Sequence, residues 1–321
     1  MRVGTRWWAL ARPRMLPLLW VTLGVGFMLG HWEAGIDLRG LRALGWALAA
    51  WTALHCGTMW LNAARDQDEG PVAFGQAVPV PDNAALVGVL ALVLCGVLAL
   101  PGGPVLAGCA AAAALLSLAY SHPKIALKAH PVGGPVINML GYGLLTPLAG
   151  MAAGGAGVSP RTVLVLMVMA LGMGGLSFAA QAFQADEDRG RGDRTLVATH
   201  GPAATLSAAR WLLNGAAVLA LAGALAGWFP LACLVGVPLF IGIDRYMRQW
   251  AAAAGGGTPA HARRLVRRLL VLIGVLVVAA VVEHGWGLFH DQPPAGQNTR
   301  VVPEPWFVLP TKLGAWAGDP T

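Results

Sequence analysis

Residues 61–70 read LNAARDQDEG and follow directly on a long apolar stretch, residues 39–61. Three carboxylates and an asparagine thus stand where an oily segment runs out, in a chain that is 56% hydrophobic and only 12% charged. Mean hydropathy is +0.62 over 321 residues. That composition excludes an ordinary soluble domain and marks a polytopic membrane protein. A spanning helix needs ~20 predominantly apolar residues. Nine stretches meet this, at about 15–32, 39–61, 82–100, 103–120, 133–154, 161–183, 205–227, 229–248 and 266–286. The helices of a soluble core would carry polar faces that these stretches lack. The expected fold is therefore an all-α bundle of nine transmembrane helices. Residues 1–290 form one domain, and residues 291–321 form an irregular tail whose prolines rule out a long helix.

Glycine occurs 43 times, much of it within the apolar stretches. Small residues let helices approach closely in lipid, where van der Waals contact drives association. Cys56, Cys95, Cys109 and Cys233 all fall inside expected spans with no CxxC pair, which supports neither a disulfide framework nor a zinc site. With the N-terminus inside, 17 of the 22 Lys and Arg residues lie on the cytoplasmic side and 5 on the other. The positive-inside rule thus orients the chain in the cell inner (cytoplasmic) membrane, multi-pass, with its C-terminus outside. A basic face beside anionic membrane lipid accounts for the net charge of +7 without a nucleic-acid partner. The basic leader before the first span has no clear cleavage site and reads as retained.

Six of the fifteen acids gather in two groups, Asp66, Asp68 and Glu69, and Asp186, Glu187 and Asp188. Each group stands at the cytoplasmic end of a span, and Asp66 and Asp188 are 122 residues, or four spans, apart. Asn62-x-x-x-Asp66 is matched by Gln184-x-x-x-Asp188, an amide and then a carboxylate one helical turn on. This is the mark of a duplicated four-helix unit. On a continuing helix Asn62, Asp66 and Glu69 share a face, as do Gln184, Glu187 and Asp188, while Asp68 and Asp186 point away. Simple solvated helix ends would spread acids over all the loops. The eight histidines show no metal-ligand spacing.

Two acidic groups at one cavity mouth, with basic residues beside them, suit one kind of ligand. Mg²⁺ prefers oxygen donors and binds through a few carboxylates together with substrate phosphates. Lys and Arg then hold the remaining phosphate oxygens. Lys124 and Lys128 in YSHPKIALKAHP (120–131), and Arg191 and Arg194 in RGRGDRTL (189–196), are placed for this. An apolar bundle below the mouth accommodates a hydrocarbon tail. Together these describe a polyprenyl diphosphate.

The chain resembles the UbiA superfamily of intramembrane prenyltransferases over residues 8–290. The resemblance rests on five elements in order: Arg12-Pro13, then Asn62 and Asp66, then Tyr120, Ser121, Pro123, Lys124, Leu127 and Lys128. GYGLLTPLAG (141–150) follows, and Gln184, Glu187, Asp188, Gly192, Thr195 and Leu196 complete the set. Ala63 and Gln184 stand where family members usually have aspartates, and Ala126 where they usually have arginine. The resemblance implies a central cavity and Mg²⁺-dependent transfer of a prenyl group from a polyprenyl diphosphate to a lipid-soluble acceptor, such as an aromatic quinone precursor. It further implies metal ligands among Asp66, Asp68, Glu69, Asp186, Glu187 and Asp188. Asn62 and Gln184 would orient ligands, Lys128, Lys124 and Arg194 would contact phosphate, and Tyr120 or Tyr142 would face the allylic cation. Two competing readings remain at this point. A family member weakened at positions 63 and 184 would bind prenyl lipid without turnover. A secondary transporter would couple ions to substrate, although its carboxylates belong near mid-membrane rather than at one surface.

Overall fold

The computed structural model describes residues 3–34, 38–66, 78–155, 157–253 and 256–290, and these residues form helices and turns without a strand. In chain order the helices are α1 (Val3–Leu10), α2 (Leu16–Ala34), α3 (Leu38–Asp66), α4 (Ala84–Ala99) and α5 (Pro104–Ser121). Next comes α6 (Gly133–Asn138), which passes through a π-helical segment, Met139–Leu145, into α7 (Thr146–Ala153). They are followed by α8 (Pro160–Gln181), α9 (Ala185–Arg191), α10 (Leu196–Leu225), α11 (Val237–Ala251) and α12 (Pro259–His290). The tail at 291–321, and Asp68 and Glu69, lie outside the described residues.

The all-α membrane bundle stands, and seven of the nine expected spans are matched by length and apolar composition. Among the described residues, seven helical segments are long and apolar enough to cross a membrane. The two expected spans that fall short do so for different reasons. The stretch 39–61 lies within a single 29-residue helix, α3, whose hydropathy is diluted by Thr52, His55, Thr58, Asn62 and three tryptophans. Those polar groups are served inside the bundle. Trp51 Nε1 donates to Thr146 Oγ1 at 2.8 Å, His55 Nε2 meets the Ala11 carbonyl at 2.9 Å, and Thr58 pairs with Ser117 at 2.7 Å. A helix surrounded by protein can carry such groups, because its partners replace the water that lipid cannot supply. The stretch 229–248 is broken instead. A 3₁₀ segment, Leu231–Gly236, precedes an α11 of only 15 residues.

Two hydrophobic cores organise the bundle. One joins α2, α3, α4, α5 and α7 around Trp51, Leu23 and Leu106, and the other joins α8, α10, α11 and α12 around Leu206, Met247 and Trp250. Close backbone approach seals the first. A Cβ on Gly26 would strike the Pro147 carbonyl, and one on Gly150 would strike the Leu23 carbonyl, so only glycine lets α2 and α7 touch. The second core begins at a capped helix: Ser159 accepts from the Thr162 backbone N–H at 3.2 Å while the Ser159 N–H donates to the Thr162 hydroxyl at 2.7 Å. A cavity lies between the two cores, with Leu54 and Ala113 from one side and Leu176 and Val266 from the other.

Candidate active site

The cavity has a volume of about 240 Å³. Its walls deep in the bundle are apolar, with Leu54, Met59, Leu116, Met173 and Leu176. Polar side chains collect at the end where α3 stops, where α5 turns toward α6, and where α9 joins α10.

At that end α9 carries the best-defined polar contacts. Asp188 is 3% exposed, and one of its carboxylate oxygens accepts from the Thr195 hydroxyl at 2.6 Å. The other accepts from Arg191 NH2 at 2.8 Å. Burial raises the Asp188 carboxyl above its usual range, while the Thr195 hydroxyl and the Arg191 charge oppose the rise. The same guanidinium donates from NH1 to Glu187 at 2.9 Å and from Nε to Asp193 at 3.2 Å. Thr195 has a second role, as its hydroxyl accepts from the Ala198 N–H at 3.3 Å and caps α10. Gly192, at φ 77°, reverses the chain between Arg191 and Asp193 in a conformation that favours glycine.

Lys128 approaches from the α5–α6 connection, a short 3₁₀ turn at Leu127–Ala129. The turn is fastened to the α9–α10 connection, because the Arg194 N–H donates to the Ala129 carbonyl at 2.8 Å. Burial brings the Lys128 ammonium down to about 8, with Arg191 and Arg65 adding to the effect and Asp193 and Asp188 opposing it. Asn62 on α3 faces the same space and accepts from the Ser121 hydroxyl at 3.4 Å.

Of the residues expected from sequence, the cavity brings together Asn62, Tyr120, Lys128, Tyr142, Gln184, Asp188 and Arg191. Glu187 stands behind them on Arg191. Asp186 is fully exposed, pairs with Arg189 at 3.1 Å, and does not line the cavity. Lys124 and Arg194 are exposed and do not line it either. Asp66 closes α3 one helical turn beyond Asn62.

Sequence reasoning missed several lining residues. Arg12 and Arg14 enter from the α1–α2 turn. They are carried there because α1 docks on α3: Trp60 Nε1 donates to the Trp7 carbonyl at 2.9 Å, and the two rings pack edge to face. Arg12 itself takes a left-handed conformation, φ 49°, at that turn. Asp193, Asn138, Ser177 and Gln181 were also unforeseen. Asn138 donates to Ser177 at 2.8 Å beside the π-helical segment, and the Gln181 carbonyl oxygen is buried without a hydrogen-bond partner. The available signal was the order of polar residues every third or fourth position along α8 and its C-terminal turn. Among the described residues the lining carries four basic groups, Arg12, Arg14, Lys128 and Arg191, against two acidic ones, Asp188 and Asp193. The mouth is thus net basic and suits an anion.

The donor chemistry also fits a hard divalent cation. The polar donors available at the cavity are carboxylate, amide and hydroxyl oxygens, and the orphaned Gln181 oxygen shows acceptor capacity to spare. No group of three His, Cys, Asp or Glu side chains placed to share a metal occurs among the described residues.

These features define a membrane-embedded helical bundle with a cavity polar at one end and apolar within. The UbiA prenyltransferase family matches residues 18–256, and the chain belongs to that family. No curated protein matches the sequence. Among solved structures, a UbiA homologue from Archaeoglobus fulgidus bound to DMAPP and Mg²⁺ is similar, with TM-score 0.61 and 18% identity over 84% of this chain and 99% of that one. The same homologue bound to GPP and Mg²⁺ gives TM-score 0.59, 18% identity and the same coverages. A digeranylgeranylglyceryl phosphate synthase gives TM-score 0.58 and 16% identity over 88% of this chain and 99% of that one.

Proposed function

We propose that this protein is a Mg²⁺-dependent prenyltransferase of the cell inner membrane, moving a prenyl group from a polyprenyl diphosphate to a lipid-soluble acceptor such as an aromatic quinone precursor. The observation that carries the reading is the single cavity in which Asn62, Lys128, Gln184 and Asp188 stand above apolar walls. Family membership and similarity to a homologue bound to DMAPP or GPP with Mg²⁺ support it. The excess of Lys and Arg on one side supports a cytosolic mouth, with the N-terminus inside and the C-terminus outside.

In this reading the diphosphate lies at the mouth and the prenyl chain runs toward Leu54 and Leu176. Lys128 holds phosphate oxygens through charge-assisted hydrogen bonds, joined by Arg12 and Arg14. Asp66 at the end of α3, with Asp68 and Glu69 following it in sequence, would hold Mg²⁺ and Asn62 would orient the ligands, with Glu187 and Asp188 as the second expected set. The metal, when bound, supplies positive charge that offsets the charge growing on the departing diphosphate. Cleavage of the allylic C–O bond leaves the electron pair on the diphosphate and an allylic cation in the cavity. Tyr120 and Tyr142 offer ring faces to that cation. The acceptor's nucleophilic carbon or oxygen then forms the new bond and releases a proton. Apolar walls exclude the water that would otherwise capture the cation.

The test is Mg²⁺-dependent release of pyrophosphate from geranyl diphosphate by the purified protein in lipid nanodiscs with an aromatic acceptor. Release above the level of an Asp188→Ala control supports the reading. No release under conditions where the diphosphate binds would leave a prenyl-lipid-binding protein instead.

A further inference from the structure

The second acidic group carries its own cation. Arg191 lies 2.8 Å from Asp188, 2.9 Å from Glu187 and 3.2 Å from Asp193, so one guanidinium gathers three carboxylates. The remaining Asp188 oxygen is taken by Thr195 at 2.6 Å. Both oxygens of the buried carboxylate are therefore satisfied within the chain. The Arg191 side chain is 30% exposed and lines the cavity, held in place by its three carboxylate partners. The bend that makes this possible is local. Gly192 turns the chain so that Asp193 comes back beside Arg191, and the Asp193 N–H donates to the Asp188 carbonyl at 2.9 Å.

We propose that Arg191 is a resident counter-cation that takes the place of a divalent metal at the α9 acidic group. The inference rests on the diphosphate-binding reading above and refines it: the α9 acidic group takes up no metal, so the protein takes up one metal ion rather than one at each acidic group. The physical ground is charge. Three carboxylates against one guanidinium leave a net negative group that a metal would favour, but a metal entering there must displace the Arg191 and Thr195 donors already on the buried Asp188. A guanidinium is charged at every accessible pH and cannot dissociate. Its presence also contributes positive charge where a diphosphate meets α9, in company with Lys128.

The test counts metal rather than turnover. Mn²⁺ is titrated into the full-length protein in nanodiscs with saturating inorganic pyrophosphate, and protein-bound Mn²⁺ is separated from Mn²⁺–pyrophosphate by rapid desalting and quantified by electron paramagnetic resonance. The expected result is one Mn²⁺ per chain for the wild type and two for Arg191→Gln, with Arg191→Lys remaining at one. Two Mn²⁺ ions on the wild type overturn the proposal whatever the variants do. An unchanged count in an Arg191→Gln protein that keeps its helical circular dichroism also overturns it. Failure of the prenyltransferase reading shows separately, as absent pyrophosphate release by a wild-type protein whose metal count is one.

Discussion

Lys128 supplies a pH dependence with a definite sign. Burial holds its ammonium near 8, against an ordinary lysine value above 10. Below pH 8 the side chain is charged and available to a diphosphate; above it the proton leaves. At pH 9.5 only ~3% remains protonated in the ligand-free protein. Affinity for a diphosphate should then fall about tenfold per pH unit above 8, until the pKa of the bound state is reached. A hydrogen bond to a charged group is worth about 1.5–3 kcal/mol, so the total loss is roughly 10- to 100-fold. Stability of the ligand-free protein runs the other way. Between about 8 and 10.5 the unfolded chain binds the proton and the folded one does not, so stability rises with pH through that window. The assay is calorimetric titration with geranyl thiolodiphosphate at constant Mg²⁺ from pH 7 to 9.5, comparing wild type with Lys128→Arg. Arginine stays charged throughout, so the variant should lose the dependence that Lys128 imposes. Identical profiles for the two proteins would refute the reasoning.

Three further outcomes are expected. Asp66→Ala and Asp188→Ala each abolish pyrophosphate release while far-ultraviolet circular dichroism stays helical; near wild-type rates in either would remove that residue from the site. Thr195→Val removes a hydrogen bond to a buried carboxylate and the cap of α10, together about 3 kcal/mol, read as a lower midpoint in thermal unfolding. Gly150→Ala drives a methyl group onto the Leu23 carbonyl and should destabilise the α2–α7 contact by about 1–3 kcal/mol, with a matching drop in the same measurement.

Much of the fold was legible because lipid imposes a length and a polarity on each span. A helix surrounded by protein rather than lipid is read less directly, because its hydropathy falls while its length does not. On α3, Trp51, His55 and Thr58 find internal partners, which lowers hydropathy without ending the helix. Before α11, the break at Leu231–Gly236 is steadied by Glu283, whose carboxylate accepts from the Leu231 N–H at 3.1 Å, a contact across 52 residues that no local pattern announces. At the site, Asn62, Gln184 and Asp188 were readable from their helical spacing, and Lys128 from the loop it shares with Tyr120. Arg191 was readable as a candidate phosphate contact but not as the partner of three carboxylates. Its role depends on the turn at Gly192 and on the geometry of three carboxylates, which composition does not encode. Arg12 reaches the cavity through the docking of α1 on α3, a tertiary event carried by Trp7 and Trp60.

The account stands or falls on where a prenyl diphosphate sits. A cryo-electron microscopy structure with geranyl thiolodiphosphate and Mg²⁺ would show it directly. The expected result has both phosphates between Asn62 and Asp188, within hydrogen-bonding reach of Lys128, and the hydrocarbon running inward past Leu54 and Leu176. Phosphate density outside this cavity, or a prenyl chain pointing away from the apolar walls, would contradict it.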